Sequence, residues 1–182
     1  MQTDAKSYRR LQIIGPSGSG KTTLAKAASA KLKIPHYELD AIFWLADWQE
    51  KPTNIFKREV LKITASDAWV VCGDYLDRLQ GLTLERADAV VWLNFPPRIF
   101  LPRLIKRTTV RFLKKQRVFG VNKESYFNFW FRPQKSLLWI TLQLYRSQGR
   151  KRQYRKVLKY NGTVPIVELK TRKEVRKWLE SL

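Results

Sequence analysis

Short apolar runs alternate along the chain with longer segments in which apolar residues recur at helical spacing. The runs predict five strands, and the clearest of them is residues 89–95, a continuous apolar stretch closed by Pro96-Pro97. The other predicted strands are residues 11–14, 36–39, 69–72 and 164–169. Helices are predicted after the first strand, at residues 53–66, at residues 98–116, and from the last strand to Leu182. This alternation predicts an α/β fold: a parallel sheet with helices on both faces, in which ligands bind where strands end.

The predicted helix at residues 98–116 has one apolar and one basic face. The apolar face should pack on the sheet, while the basic face remains free to contact an anion. Arg103 and Arg107 are candidates for stabilising a transferring phosphoryl group, because forked Arg donors suit its charge; the alternative is a solvated helix surface. That surface is the preferred interpretation for Lys106, Lys114 and Lys115. The apolar face contains Leu101, Leu104, Ile105, Thr108 and Phe112, and the basic face contains Arg103, Arg107, Lys114 and, at its edge, Arg111.

Length and composition favour one domain spanning residues 1–182. Hydrophobic residues make up 44% of the chain, which excludes a disordered protein. Cys72 is the single cysteine, so no internal disulfide can form, and a reducing compartment is expected. The amino-terminal residues contain no apolar signal-peptide core, and the longest apolar run is too short to span a membrane. We therefore expect a cytoplasmic protein.

Positive charge dominates the second half of the chain. Thirty-six Lys and Arg stand against 15 Asp and Glu, a formal net charge of +21, with the surplus concentrated beyond residue 98. Aromatic and basic residues interleave from Ser125 to Tyr160. Three interpretations stay open for this region: a helical lid, at about residues 111–160, that packs on the core; a surface for single-stranded nucleic acid; and a helix lying on an anionic membrane.

The segment between the first strand and the first helix is GPSGSGKTT, and it fits the phosphate-loop pattern G-x-x-x-x-G-K-[ST]. Glycines let successive backbone amides turn toward phosphate oxygens, and the helix N-terminus adds partial positive charge. Lys21 is expected to reach the β- and γ-phosphates, and Thr22 to hold Mg²⁺. The alternative is an ordinary glycine turn that caps a helix. The candidate nucleotide-binding residues are Gly15, Ser17, Gly18, Ser19, Gly20, Lys21, Thr22 and Thr23.

Two acidic residues are expected at the same sheet edge as this loop. Asp40 follows the second predicted strand, where it could orient an acceptor hydroxyl, accept its proton or hold a Mg²⁺ water; the alternative is a helix cap. Asp74 follows the third strand, with binding and structural roles equally open. Trp44 could stack on a base or sugar, whereas packing in the core is the expectation for at least one of Phe43, Trp44 and Trp48. His36 suggests neither a base nor a metal ligand.

Several motifs together resemble a known family. The runs IIGPSGSGKTTLA, ELDAIFWLADW, WVVCGDY and ERADAVVWLNFP followed by RLIKR are similar to the adenylate-kinase-like P-loop proteins labelled topology modulation proteins, the FlaR-related group. The resemblance covers roughly residues 10–110. It implies the nucleoside/nucleotide-kinase fold of P-loop NTPases, with strand order 2-3-1-4-5 and a mobile lid. Two positions depart from the family pattern, because Cys72 and Asn94 stand where related sequences commonly carry acids; Asp74 is the alternative carboxylate.

The predicted function is transfer of the ATP γ-phosphate to a small acceptor. In this prediction the loop binds ATP with Mg²⁺, while Asp40, Trp44 and Asp74 contact the acceptor, and Lys21, Asp40, Arg103 and Arg107 carry the chemistry. The sequence leaves open the acceptor and the choice between ATP and GTP. The alternative function is a nucleic-acid-binding P-loop ATPase that uses its basic surface.

Overall fold

A five-stranded parallel sheet forms the centre of the computed structural model, which describes residues 8–120, 122–123, 138–139, 141–142, 149–160 and 163–182. Its strands lie in the order β2-β3-β1-β4-β7, and every neighbouring pair is parallel. Counted within this sheet alone, the order is the predicted 2-3-1-4-5. The strands are β1 (Arg10–Ile14), β2 (His36–Glu38), β3 (Trp69–Cys72), β4 (Ala89–Leu93) and β7 (Ile166–Leu169).

Helices cover both faces of the sheet. Leu11 and Ile13 of β1 point into a core shared with the first, fifth and last helices, while Ile14 joins a separate cluster on the opposite face. Both faces are buried, as a parallel sheet requires. No helix within the described ranges is long and apolar enough to cross a membrane. The helices are α1 (Lys21–Leu32), α2 (Leu39–Phe43), α3 (Thr53–Thr64), α4 (Leu76–Leu79), α5 (Pro97–Leu113), α6 (Gly149–Tyr160) and α7 (Arg172–Glu180), with a 3₁₀ turn at Ala46–Trp48.

Two expectations about side-chain positions are wrong. Strand β2 ends at Glu38, so Asp40 lies in the first turn of α2 rather than at a strand end, because the chain turns directly into that helix. Phe112 is 47% exposed, although its spacing placed it on the buried face of α5. The buried positions of α5 are Phe100, Leu104 and Thr108, and the last turn of the helix extends past the packed part of the sheet.

The segment after α5 was predicted to be helical, but it is not helical throughout. Strands β5 (Arg117–Val118) and β6 (Asn122–Lys123) form an antiparallel hairpin. Its turn contains Phe119 and Gly120, whose φ angles of +51° and +80° are incompatible with an α-helix. Helix α6 covers residues 149–160 of the predicted lid. Residues 121, 124–137, 140 and 143–148 of that lid lie outside the described residues.

The start of β1 is fixed by one carboxylate. Asp88, just before β4, accepts hydrogen bonds from the backbone amides of Arg9 (2.9 Å) and Arg10 (2.8 Å), and from the Arg10 guanidinium Nε (3.1 Å). Burial by itself raises the pKa of Asp88, but the hydrogen bonds from Arg9 and Arg10 outweigh it and hold the pKa below its ordinary value. The charged form of Asp88 therefore stabilises the junction between the two central strands.

Asp88→Asn is expected to lower the free energy of unfolding at pH 7 by about 1–3 kcal/mol, because charge-assisted hydrogen bonds are lost. The folded pKa is depressed, so the stabilisation is present above the unfolded pKa of about 3.9 and is lost as pH falls through the folded pKa. Urea unfolding at pH 7 and pH 3 measures the difference. Asp67→Asn, at an exposed acid, is the matched control. An equal effect of Asp88→Asn at both pH values would contradict this role.

Candidate active site

The loop between β1 and α1 is packed on one side and open on the other. Gly18 and Gly20 have φ angles of +82° and +98°, in the region that favours glycine. A Cβ on Gly18 would lie 2.6 Å from the carbonyl oxygen of Phe100 in α5, whereas a Cβ on Gly20 would meet no atom within 4 Å. The loop therefore rests against α5 and leaves space in front of Gly20.

The first turn of α1 is a site for an anion. Gly20 is its N-cap and provides no side-chain cap, and the first turn contains no acidic residue. The first bond of the helix runs from the Leu24 amide to the Gly20 carbonyl at 2.9 Å, so the amides before Leu24 have no acceptor within the helix. Ser19 adds a buried hydroxyl that has no hydrogen-bond partner among the described atoms. These donors and the helix dipole together suit a phosphate group.

Lys21 closes the loop upon itself. Its ammonium group donates hydrogen bonds to the carbonyl oxygens of Gly15 (2.9 Å) and Pro16 (3.0 Å). These are neutral acceptors, and a phosphate oxygen is a stronger partner for an ammonium group. The position of Lys21 thus allows it to exchange two carbonyls for a phosphate without moving far from the loop.

Several charged residues surround Lys21. Burial lowers the pKa of Lys21, whereas the negative charges of Asp40 and Asp74 raise it and the positive charge of Arg107 lowers it. Asp40, Asp74 and Arg107 therefore act electrostatically on the same ammonium group. Burial and these three charges thus act on the pKa of Lys21 in opposite directions.

Cys72 lies beside the predicted magnesium ligand. The residue is 3% exposed, and the Thr22 side chain acts to lower the pKa of the thiol. Burial raises the pKa of Cys72 to about 12, and the negative charge of Glu38 raises it as well. The residue at this position is thus an uncharged thiol, not a carboxylate.

Asn94 is likewise neutral and serves as a link in the sheet. It follows β4, is 4% exposed, and donates a side-chain hydrogen bond to the Glu168 carboxylate of β7. Its backbone amide donates to the Leu169 carbonyl at 2.9 Å. Asn94 therefore joins the ends of two neighbouring strands.

Asp40 is oriented by a residue to which the sequence analysis assigned no role. The Tyr75 hydroxyl donates a 2.7 Å hydrogen bond to Oδ1 of Asp40. Burial raises the pKa of Tyr75, and the negative charge of Asp40 raises it further, so Tyr75 stays a neutral donor. Its place three residues after the end of β3 was the available sequence signal, since residues there share the sheet edge with the loop.

Four aromatic residues extend outward from Asp40, and we call Phe43, Trp44, Trp48 and Tyr75 the aromatic wall. Phe43 is buried, with its ring centroid 4.8 Å from that of Tyr75, which confirms core packing for one member. The Trp44 ring lies 5.0 Å from that of Phe43 and 5.7 Å from that of Trp48. Trp48 is 37% exposed. The wall thus runs from the buried core to the surface.

The hairpin after α5 holds the outer end of the wall. Asn122, which is 1% exposed, accepts a hydrogen bond from the Trp48 amide (2.8 Å) and donates one to the Leu45 carbonyl (2.9 Å). The Trp48 indole donates to the Lys123 carbonyl at 2.8 Å. Trp48 has a φ of +57°, a conformation that costs free energy and that these contacts stabilise. The role of Asn122 was not predictable from the sequence, because its hydrogen-bond partners are distant in the chain.

The two predicted arginines have different surroundings. The Arg103 guanidinium lies 5.9 Å from the centre of the Phe95 ring. Burial lowers the pKa of Arg103, and the nearby positive charge of Arg172 lowers it further. Arg107 is the one that acts on Lys21. Both arginines line a basic groove on α5, together with Lys106, Val110, Arg111 and Gln116.

The structure is similar to solved small-molecule kinases. The shikimate kinase of Bacteroides thetaiotaomicron matches with a TM-score of 0.53 and 18% identity, covering 95% of each chain. The shikimate kinase of Acinetobacter baumannii, in complex with shikimate, matches with a TM-score of 0.54 and 17% identity over 97% of this chain and 93% of that one. A gluconokinase from Sinorhizobium meliloti matches with a TM-score of 0.53 and 17% identity, covering 95% of this chain and 88% of that one. The chain therefore has the P-loop NTPase fold of the nucleotide-kinase type.

Sequence comparison is less informative about function. No family model matches the chain, and the resemblance to topology modulation proteins stays a prediction. An uncharacterized protein of Bacillus subtilis, YqaC, is 32% identical over 110 residues. The match spans 57% of this chain and 59% of the length of that relative.

The thiol of Cys72 is expected to react with a thiol reagent about 1000-fold more slowly in the native protein than in the denatured protein. At pH 8 a pKa near 12, compared with the ordinary value of 9.0, lowers the thiolate fraction by that order. Modification by an aromatic disulfide reagent, with and without guanidinium chloride, measures both rates. Rates within tenfold of each other would contradict the buried, protonated thiol.

Proposed function

We propose that the protein is an ATP-dependent phosphotransferase that transfers the γ-phosphate to a hydroxyl group of a small molecule. The observation that carries this proposal is the open first turn of α1, where Gly20 leaves space in front of the loop and Lys21 donates to loop carbonyls. Together with Asp40, which Tyr75 holds, and Arg107 on the helix packed against the loop, it offers the groups that phosphoryl transfer to a hydroxyl uses. The fold shared with small-molecule kinases supports it.

The phosphate loop would hold the triphosphate. The backbone amides of residues 17–23, with the hydroxyls of Ser17, Ser19 and Thr23 nearby, would bind phosphate oxygens in front of Gly20, where the space is open. Lys21 would leave the carbonyls of Gly15 and Pro16 and bind the β- and γ-phosphates. Arg103 is proposed as a further contact to the nucleotide, supported by its place in the basic groove beside Arg107.

Magnesium fits the oxygen donors at this site. The Thr22 hydroxyl is at the N-terminus of α1, and the carboxylates of Asp40 and Asp74 are close enough to influence Lys21. A hydroxyl, carboxylates and phosphate oxygens are hard ligands of the kind Mg²⁺ prefers. When bound, Mg²⁺ neutralises charge on the β- and γ-phosphates. Thr22 would be its protein ligand.

The acceptor hydroxyl would be positioned by Asp40. Tyr75 holds Oδ1 of Asp40, which leaves Oδ2 to orient the hydroxyl and accept its proton as the new P–O bond forms. Arg107 would stabilise the charge on the transferring phosphoryl oxygens. Trp44 and Asp74 are proposed as acceptor contacts, since Trp44 adjoins Tyr75 and Asp74 is exposed beside the loop.

Lys21→Ala is expected to lower acceptor-dependent ADP formation by at least about 100-fold, because the transferring charge loses its main cation. A coupled assay across nucleosides, nucleotides, sugars and small alcohols measures turnover. The control is Lys26→Ala, an exposed lysine on the same helix, which should keep activity within twofold. Full activity in Lys21→Ala would exclude the proposed site.

Asp40→Asn tests the acceptor side separately. It keeps the size of the side chain and its contact with Tyr75 but removes the base, so kcat should fall about 100-fold or more. ATP affinity, measured by calorimetry, should stay within about threefold of the parent, because the loop is unchanged. Asp67→Asn is the matched control. An unchanged kcat would assign Asp40 a purely structural role.

A second candidate function is a nucleic-acid-binding P-loop ATPase. Helix α6, with the sequence GRKRQYRKVLKY, has six Lys or Arg among 12 residues and no acid, and Tyr154 is 46% exposed. Cations with exposed aromatics suit single-stranded nucleic acid. Affinity for such a strand that falls steeply with salt, together with ATP turnover needing no small acceptor, would favour this function over the first.

A further inference from the structure

We infer that the acceptor is an uncharged hydroxylated compound with a flat or apolar face, such as a nucleoside or a pyranose, and not a carboxylic acid or phosphate ester. The inference rests on the proposed function and concerns the acceptor side of the same site. Three features support it: the aromatic wall, the negative charge around Asp40, and the pairing of the cations that flank the wall.

The aromatic wall offers an apolar surface that starts at the proposed base. Tyr75 donates to Asp40, the Phe43 ring contacts those of Tyr75 and Trp44, and Trp48 continues the wall to the surface with 37% of its area exposed. The Trp44 and Trp48 rings meet at 76°, so they form a corner. A sugar ring or base packed there would bury its apolar face while one hydroxyl reaches Asp40.

Negative charge faces the acceptor beside the loop. The Asp40 carboxylate lies at the inner end of the aromatic wall, where Tyr75 donates to its Oδ1 at 2.7 Å, and Asp74 is the exposed residue directly before Tyr75. Lys21 itself is directed to the loop carbonyls and, in the proposed function, to the triphosphate. An acceptor with its own negative charge would be repelled by both carboxylates and by the γ-phosphate. A neutral acceptor avoids this repulsion.

Two cations beside the aromatic wall, Arg78 and Lys51, are already engaged by protein groups. Arg78 lies over the Phe43 ring at 4.7 Å and donates to the Glu50 carboxylate at 2.6 Å. The Lys51 ammonium donates to the Glu59 carboxylate, also at 2.6 Å.

Lys57, on α3, is engaged in the same way, since it donates to the side-chain oxygen of Gln80 at 2.5 Å. Recognition of an acid requires a forked or ammonium donor that is available to the ligand. To bind Arg78, Lys51 or Lys57, an anionic acceptor would have to displace Glu50, Glu59 or Gln80. A neutral acceptor leaves these pairs intact.

This inference separates the chain from the kinases that share its fold. Shikimate, which is bound in the Acinetobacter baumannii structure, is a carboxylic acid. With identities of 17–18%, the similarity extends to the fold and leaves the acceptor side free to differ. The paired cations and the aromatic wall are where we expect that difference to lie.

The test uses the full chain, ATP with Mg²⁺ and two matched pairs of acceptors: adenosine with adenosine 5′-monophosphate, and glucose with gluconate. The neutral member of at least one pair should give a kcat/KM for ADP formation at least tenfold above that of its anionic partner. Asp74→Asn should reduce this preference at least threefold, because one repelling charge is removed. Asp67→Asn, an exposed acid away from the loop, should leave the preference unchanged.

Each other outcome overturns the inference. A preference for the anionic member, equal rates within a pair, or no stimulation by any of the four compounds while calorimetry still detects ATP would contradict the neutral acceptor and leave ATP binding intact. Absence of ATP binding would contradict the proposed function itself. If Asp74→Asn kept the full preference for the neutral acceptor, repulsion by the Asp74 charge would be excluded as its cause.

Discussion

The close packing of Gly18 against the Phe100 carbonyl of α5 is the constraint on which the site depends. A side chain at position 18 has no room, since its Cβ would lie 2.6 Å from that oxygen. The contact fixes α5, and with it Arg107, relative to the phosphate loop. Lys21 and Arg107 therefore belong to one electrostatic group, although 86 positions separate them in the sequence.

The charge distribution of the chain matches the two sides of the site. Residues 98–182 hold 23 of the 36 Lys and Arg but only four of the 15 Asp and Glu. This part includes α5, which packs against the phosphate loop and contains Arg107. The carboxylates Asp40 and Asp74 come from the nearly balanced first part of the chain. The strong net charge thus reflects the basic residues of α5 as well as those of α6.

The sequence predicted the sheet and the phosphate loop because both depend on local patterns. Apolar runs and glycine spacing are short-range features, and the strand order followed from the resemblance to known P-loop proteins. Contacts between distant segments were not predictable in the same way: Tyr75 bonds Asp40 across 35 residues, and Asn122 holds Trp48 across 74. The prediction that Phe112 is buried was wrong for a related reason. Helical spacing identifies a face of the helix but does not indicate how far along the helix that face is packed.

The central claim is that the loop of residues 15–23 binds the phosphates of a nucleotide. Titration calorimetry of the full chain with ATP and Mg²⁺ tests it most directly, with Gly20→Ala as the variant that fills the open space in front of the loop. The account predicts saturable heat for the parent protein and at least tenfold weaker binding for Gly20→Ala. No heat with ATP or GTP, or undiminished affinity in the variant, would contradict it.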